Sequence, residues 1–325
     1  MTSSTNKNLN MTSGVSISEM HGHAPAAAKD TWIFNAEATS TLLIAAWYIF
    51  GVYITLGIIP KNAFYEWGAH WVISFLLGVF YLGAGYLYQR HQCVTSLKSS
   101  AVYLKREVIV LLTPFIAFLV FTLLATSVAS LQPGLVESGL AAGEPGFSLS
   151  NLAHALFIHP VGPVGYFIIL LGIYVITHTP QTKRGMWTLF ACALVAKMVA
   201  IVLTDLGVAA HAPYYLLGIM DNWIWFALGI ALCAFDAPKL LRQPALAAGL
   251  TAAFFVLAAL LLTFNMAEAA LLSLLTLLGL LALYSLSAAR FLRGNQIRFY
   301  GFVARYTMAI WLMHREMLCK ISIAG

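Results

Sequence analysis

The chain has 325 residues, of which 61% are hydrophobic and only 9% are Asp, Glu, Lys or Arg. A soluble domain carries about 25% charged residues to face water, so 18 basic and 12 acidic side chains cannot coat such a surface. The composition excludes a soluble enzyme, a disordered chain and a nucleic-acid binder acting through a basic face. It leaves a polytopic membrane protein whose first partner is the lipid bilayer.

Residues 1–35 are rich in Ser, Thr and Asn and lack the apolar stretch of a signal peptide, which predicts a disordered tail. Residues 36–325 then form a single transmembrane domain. A span needs roughly 20 predominantly apolar residues. In chain order the predicted spans cover 41–59, 69–88, 108–131, 164–177, 186–203, 214–235, 245–264, 267–289 and 302–321. Apolar runs of this length read as helices, because a helix satisfies its own backbone in lipid. The expected fold is an all-α polytopic transmembrane bundle of nine spans, or ten.

The second span contains Gly78, Gly83 and Gly85, which let a neighbouring helix come close. The fourth is short and follows an apolar stretch, 152–158, that Pro160 and Pro163 interrupt, so a broken or re-entrant element is expected there. The seventh and eighth are plain Leu/Ala helices, expected to brace the bundle.

The net charge of +6 has a location. Arg90, Lys98, Lys105 and Arg106 lie in or beside one loop, followed on the same side by Lys183 with Arg184, Lys239 with Arg242, and Arg290, Arg293 and Arg298. The alternate loops are neutral or acidic. Basic loops face the cytoplasm, which puts the N-terminus inside and the chain in a plasma or bacterial inner membrane. The charge is a topology signal and says nothing of acidic partners. Cys93, Cys192, Cys233 and Cys319 lie far apart, a spacing that supports neither a disulfide framework nor a zinc site.

Polar groups inside spans carry more information. Lys197 and Asp221 fall within the fifth and sixth spans, where a charge costs at least about 2.5–3.5 kcal/mol on insertion scales. Pairing the two across adjacent antiparallel helices meets the needs of both. The pair then either fixes helix register or lines a polar cavity for substrate or proton. His70, His154, His159, His211 and His314 lie at or near the outer side, without metal-ligand spacing. Imidazole titrates near neutrality, so His70, His154 and His314 are candidates for a general base.

Four segments, in order, resemble the integral-membrane type 3 acyltransferases, which O-acylate cell-surface glycans. Residues 79–87, Val-Phe-Tyr-Leu-Gly-Ala-Gly-Tyr-Leu, are similar to the family's Leu-Phe-Phe-Phe-x-Ser-Gly-Tyr-Leu. The basic run Tyr103-Leu104-Lys105-Arg106-Glu107-Val108 leads into Leu111-Leu112-Thr113-Pro114-Phe115 as the family's basic stretch leads into Leu-hydrophobic-Pro. Residues 162–170 resemble its Gly-Pro-x-Trp-Phe-Leu segment with Tyr166 for Trp, and residues 306–314 its closing Ile-Tyr-Leu-x-His, ending on His314. The resemblance covers residues 41 to about 320.

It implies an O-acyltransferase that moves an acyl group, acetyl above all, from acetyl-CoA or another acyl-CoA to a hydroxyl of a glycan or lipid-linked sugar. Arg106 and the basic face would meet the phosphorylated donor. Lys197 or Arg305 would steady negative charge, and Lys197, Asp221, Arg106 and Arg305 are the substrate-binding candidates. No metal is implied. The family's first span carries an Arg at its start and a His near its outer end, whereas residues 41–55 contain neither. Either activity has been lost or His70, His154 or His314 supplies the base. An ion-coupled secondary transporter, using Lys197, Asp221 and Asp205 along its path, and a non-catalytic pseudo-enzyme subunit are the alternatives.

Overall fold

The computed structural model describes residues 31–55, 57–91, 97–129, 131, 146–158, 165–208, 213–289 and 303. Among these there is no strand. The helices are α1 (Thr31–Thr55), α2 (Ala63–Arg90), α3 (Leu97–Ala129), α4 (Leu149–Phe157), α5 (Gly165–Ile176), α6 (Lys183–Asp205), α7 (Tyr214–Ala234), α8 (Pro238–Leu241), α9 (Pro244–Thr263) and α10 (Ala269–Ala288). Among the described residues six helices are long and apolar enough to cross a membrane: α1, α3, α6, α7, α9 and α10. That is compatible with an integral membrane protein. The tail through residue 30, the predicted span 302–321 apart from Val303, and Pro160 and Pro163 lie outside the described residues.

Two helices start well before their predicted spans. α1 begins at Thr31, inside the stretch expected to be tail, and α3 begins at Leu97, so the basic run 103–108 is helical. α5 is short, as its 12 residues demand.

Helices α2 and α7 form the centre, and their contact is the most extensive in the bundle. Two glycines make it close: a Cβ at Gly85 would overlap the Phe226 carbonyl, and one at Gly229 would overlap the Leu82 carbonyl. Backbone therefore packs on backbone, which is how small residues drive helix association without a hydrophobic force. Around this pair, α1 and α10 cover one side of α2, α6 and α5 flank α7, and α3 packs on α5. An aromatic cluster of Tyr88, Tyr103, Tyr174 and Phe226 joins α2, α3, α5 and α7, with centroids 5.4–5.7 Å apart. Helices α9 and α10 pair with each other and add a smaller cluster around Trp67, Phe254, Leu261 and Leu275.

The bundle has a basic end and an opposite end. At the basic end Gln89 donates to the Pro180 carbonyl (3.3 Å), tying the close of α2 to the turn before α6, and Asp236 feels Lys239, Arg90 and Arg242. At the opposite end Lys61 pairs with Glu66 at 2.8 Å, and the Trp67 indole donates to the Met266 carbonyl.

Candidate functional site

Among the polar groups buried in the described residues, two loci stand with a file of tyrosines between them. The first is built on α1. Trp32, Ile33, Ala36, Ser40 and Ile44 recur at helical spacing and are all buried, so one stripe of the first half of the helix faces α2 and α10. Glu37 lies on that stripe, 3% exposed, about 9 Å along the axis from the start of the helix. Ser40 bonds across to the Leu76 carbonyl at 2.8 Å and fixes the register of α1 on α2. The carboxylate fits because residue 83 is glycine. A Cβ there would overlap Glu37 Oε1 and lie 3.0 Å from the Tyr284 hydroxyl. Tyr284 itself donates to the Val79 carbonyl at 2.7 Å. Both Tyr284 and Tyr166 stand within electrostatic reach of Glu37.

The second locus joins α6 to α7. Lys197 Nζ lies 2.6 Å from Asp221 Oδ1 and 5.3 Å from the centre of the Trp225 ring. The lysine side chain is 10% exposed and the aspartate 41%. Asp221 stands about two turns, or ~10 Å, from the start of α7. It is within electrostatic reach of Tyr81 and Tyr214, and Tyr214 in turn of Tyr48 on α1. Tyr81 and Tyr166 pack with centroids 4.9 Å apart. The series Glu37, Tyr166, Tyr81, Asp221, Lys197 thus crosses the bundle from the half nearer the basic end to the other half.

Of the residues singled out in the sequence, the structure brings Lys197 and Asp221 together as the spacing of their spans predicted. Arg106 bonds its neighbour Glu107 through Nε and an Nη (3.2 and 2.8 Å) and lies 5.3 Å from the Tyr103 ring centre, half-buried. His154 is exposed on α4, which Tyr215 anchors by donating to the Ala155 carbonyl. His70 lies on α2 with its side chain outside the described residues, and His314 and Arg305, like His159 and His211, lie outside them altogether. Among the described residues no three His, Cys, Asp or Glu gather as metal ligands would.

Glu37, Tyr81, Tyr166 and Tyr284 were not read as functional from the sequence. The signal for Glu37 was present: apolar residues at 32, 33, 36 and 44 place position 37 on the buried stripe. No family model matches the chain, and neither does any curated protein or solved structure.

Proposed function

We propose that the chain is a membrane-embedded O-acyltransferase of nine or ten spans with its N-terminus in the cytoplasm. It moves an acyl group, acetyl above all, from a cytoplasmic acyl-CoA to a hydroxyl of a cell-surface glycan or lipid-linked sugar. Glu37 takes the part of the histidine that its first span lacks. The observation that carries this reading is the setting of Glu37: its carboxylate lies against Gly83, in the first acyltransferase-like segment, and within electrostatic reach of Tyr166, in the third.

A carboxylate so placed can accept the proton of an acceptor hydroxyl as the oxygen attacks the thioester carbonyl. The carbon–oxygen bond forms, the carbon–sulfur bond breaks, and the departing thiolate takes the proton back from the acid. General-base assistance of this kind contributes typically 10²–10⁴-fold. Arg106, at the basic end where the donor would arrive, is steadied by Glu107.

The test is transfer of labelled acetyl from acetyl-CoA to glycan by membranes carrying the full chain. Glu37→Gln should lose about 100-fold or more, with Glu37→Asp retaining part of the activity and His154→Ala near the parent. Equal transfer by Glu37→Gln removes the residue from the mechanism. Absence of transfer from the parent removes the enzyme.

A second reading, ion-coupled transport, draws on the ionisable series from Glu37 to Lys197. Ionisable groups within spans mark proton or ion paths. Proton-gradient-driven uptake into proteoliposomes that Asp221→Asn abolishes would favour it over acyl transfer.

A further inference from the structure

Helix α4 is nine residues long and owes its start to its own sequence. Ser148 caps it by accepting from the Asn151 N–H at 3.0 Å, and Asn151 donates its side-chain amide to the Gly146 carbonyl at 2.7 Å. Two further bonds tie this segment to two different spans. The Phe147 N–H donates to Ser127 Oγ at 2.6 Å, in the last turn of α3, and Tyr215, in the first turn of α7, donates to the Ala155 carbonyl. Helix α7 closes at the Asp236 turn among the basic groups, and α3 sets out from the end where α2 closes. Both tethers therefore lie at the end opposite the basic one, and α4 bridges α3 and α7 there.

The faces of α4 differ in kind. Leu152, Ala155 and Leu156 belong to the main core. Leu149, Ala153 and Phe157 follow at intervals of four and form one outer edge. Its two large members are bare, Leu149 at 80% exposure and Phe157 at 76%. Ser150 and His154, about 100° further round, are exposed too and make a polar edge beside it. Core packing accounts for the inner face, but not for the bare apolar edge, and such patches mark interaction surfaces.

The adjoining surface identifies what covers it. On α3, Ile109, Ile116, Leu124 and Val128 recur at helical spacing and are all exposed. They form the stripe that this span, long and apolar enough to cross a membrane, presents outward. The stripe reaches Val128, next to the Ser127 that holds Phe147, and Phe147 is itself exposed. The outward stripe of α3 thus leads to Phe147 and from it to Leu149.

We infer that α4 lies at the lipid–water boundary of the leaflet opposite the basic end, with Leu149 and Phe157 among the acyl chains and Ser150 and His154 at the headgroups. A helix with one apolar and one polar side takes this position, its apolar side sunk about 5–10 Å into the boundary. The inference requires that the chain lie in a bilayer and is independent of the chemistry the bundle performs.

The experiment places a nitroxide on Leu149→Cys, Ser150→Cys, His154→Cys and Phe157→Cys, one at a time, in the full chain with its native cysteines replaced by serine. The chain is held in phosphatidylcholine vesicles, with Ile116→Cys on α3 as the lipid reference. Power saturation compares collisions with oxygen, which concentrates among acyl chains, and with a nickel chelate, which stays in water. The oxygen-to-nickel ratio should be at least fivefold higher at 149 and 157 than at 150 and 154, and should approach that at 116. Equal ratios at the four positions overturn the inference, and so does shielding of 149 and 157 from both reagents, which would mean that protein covers the edge. Nickel reaching position 116 as readily overturns it together with the bilayer itself, a failure distinct from loss of acetyl transfer. In the unmodified chain, a phosphatidylcholine with a diazirine on its acyl chain should label Leu149 and Phe157 at least fivefold more than Ser150 and His154, read by mass spectrometry. Equal labelling overturns the inference as well.

Discussion

Lys197 on α6 and Asp221 on α7 meet at 2.6 Å, with the ammonium almost wholly enclosed and the carboxylate two-fifths accessible. The two helices are consecutive and pack against each other, so one ion pair serves both. The inequality of exposure sets the consequence. Asp221 keeps open surface of its own, whereas Lys197 is enclosed by protein.

Asp221→Asn should therefore cost more than its own exposure implies, about 2–3 kcal/mol, because it leaves an enclosed ammonium without its carboxylate. A double change, Lys197→Met with Asp221→Leu, should cost under about 1 kcal/mol, since apolar replacement of a buried pair is often neutral. Reversible SDS unfolding in mixed micelles measures both. A double variant as unstable as the single would show that the pair does more than neutralise itself.

The paired glycines of the central contact make the sharpest stability prediction. At Gly85 a methyl group meets the Phe226 backbone, which no rotamer change can move. Gly85→Ala and Gly229→Ala should each lose about 3 kcal/mol or more through forced separation of α2 and α7. Gly78→Ala should be nearly silent, because its Cβ would meet only the flexible end of Leu280 at 3.3 Å. The same unfolding assay ranks them, and equal losses at 78 and 85 would contradict the close approach.

Much of this arrangement was legible in the sequence. Uniform apolar runs announce helices, and the glycines of the second span announce a close neighbour. Two charges in adjacent spans announce each other. Glu37 was not legible by hydropathy, because Thr31, Asn35, Thr39, Ser40 and Thr41 surround it and give a stretch as polar as a tail. Those polar groups are absorbed locally. Thr41 returns its hydroxyl to the Glu37 carbonyl at 2.9 Å and Thr39 to that of Asn35 at 2.8 Å, while Ser40 reaches α2. Composition averages over a helix; packing reads one face of it.

The turn between α7 and α8 carries a pH dependence of known sign. Its Asp236 takes a left-handed conformation (φ 52°) and pairs with Lys239. The hydrogen bond from Lys239 holds its carboxyl below the usual aspartate range. A lowered acid stabilises the fold above its unfolded value, about 3.9, and that contribution disappears as pH falls through the folded value. Protection against amide exchange across 235–241, taken relative to the intrinsic rate at each pH, should fall below about pH 4 in the parent chain, and Asp236→Asn should show the lower protection at neutral pH. Protection independent of pH in the parent would mean that the pair does not order the turn.

Gly83→Ala separates position from stability at Glu37. The added methyl overlaps Glu37 Oε1, the far end of a flexible side chain, and approaches the Tyr284 hydroxyl at 3.0 Å. The helix backbones need not part, so the cost should stay near 1 kcal/mol, in contrast to Gly85→Ala. The carboxylate must swing aside, however, and a displacement of about 1 Å can cost 10²-fold in rate. Acetyl transfer from acetyl-CoA should drop at least tenfold while SDS unfolding stays close to the parent. Should transfer persist at the parental rate, the acceptor proton goes elsewhere and Glu37 is a structural acid. Should both fall together, the methyl has disturbed the α1–α2 contact itself, and Glu37→Asp, which shortens the arm without adding volume, then decides between the two.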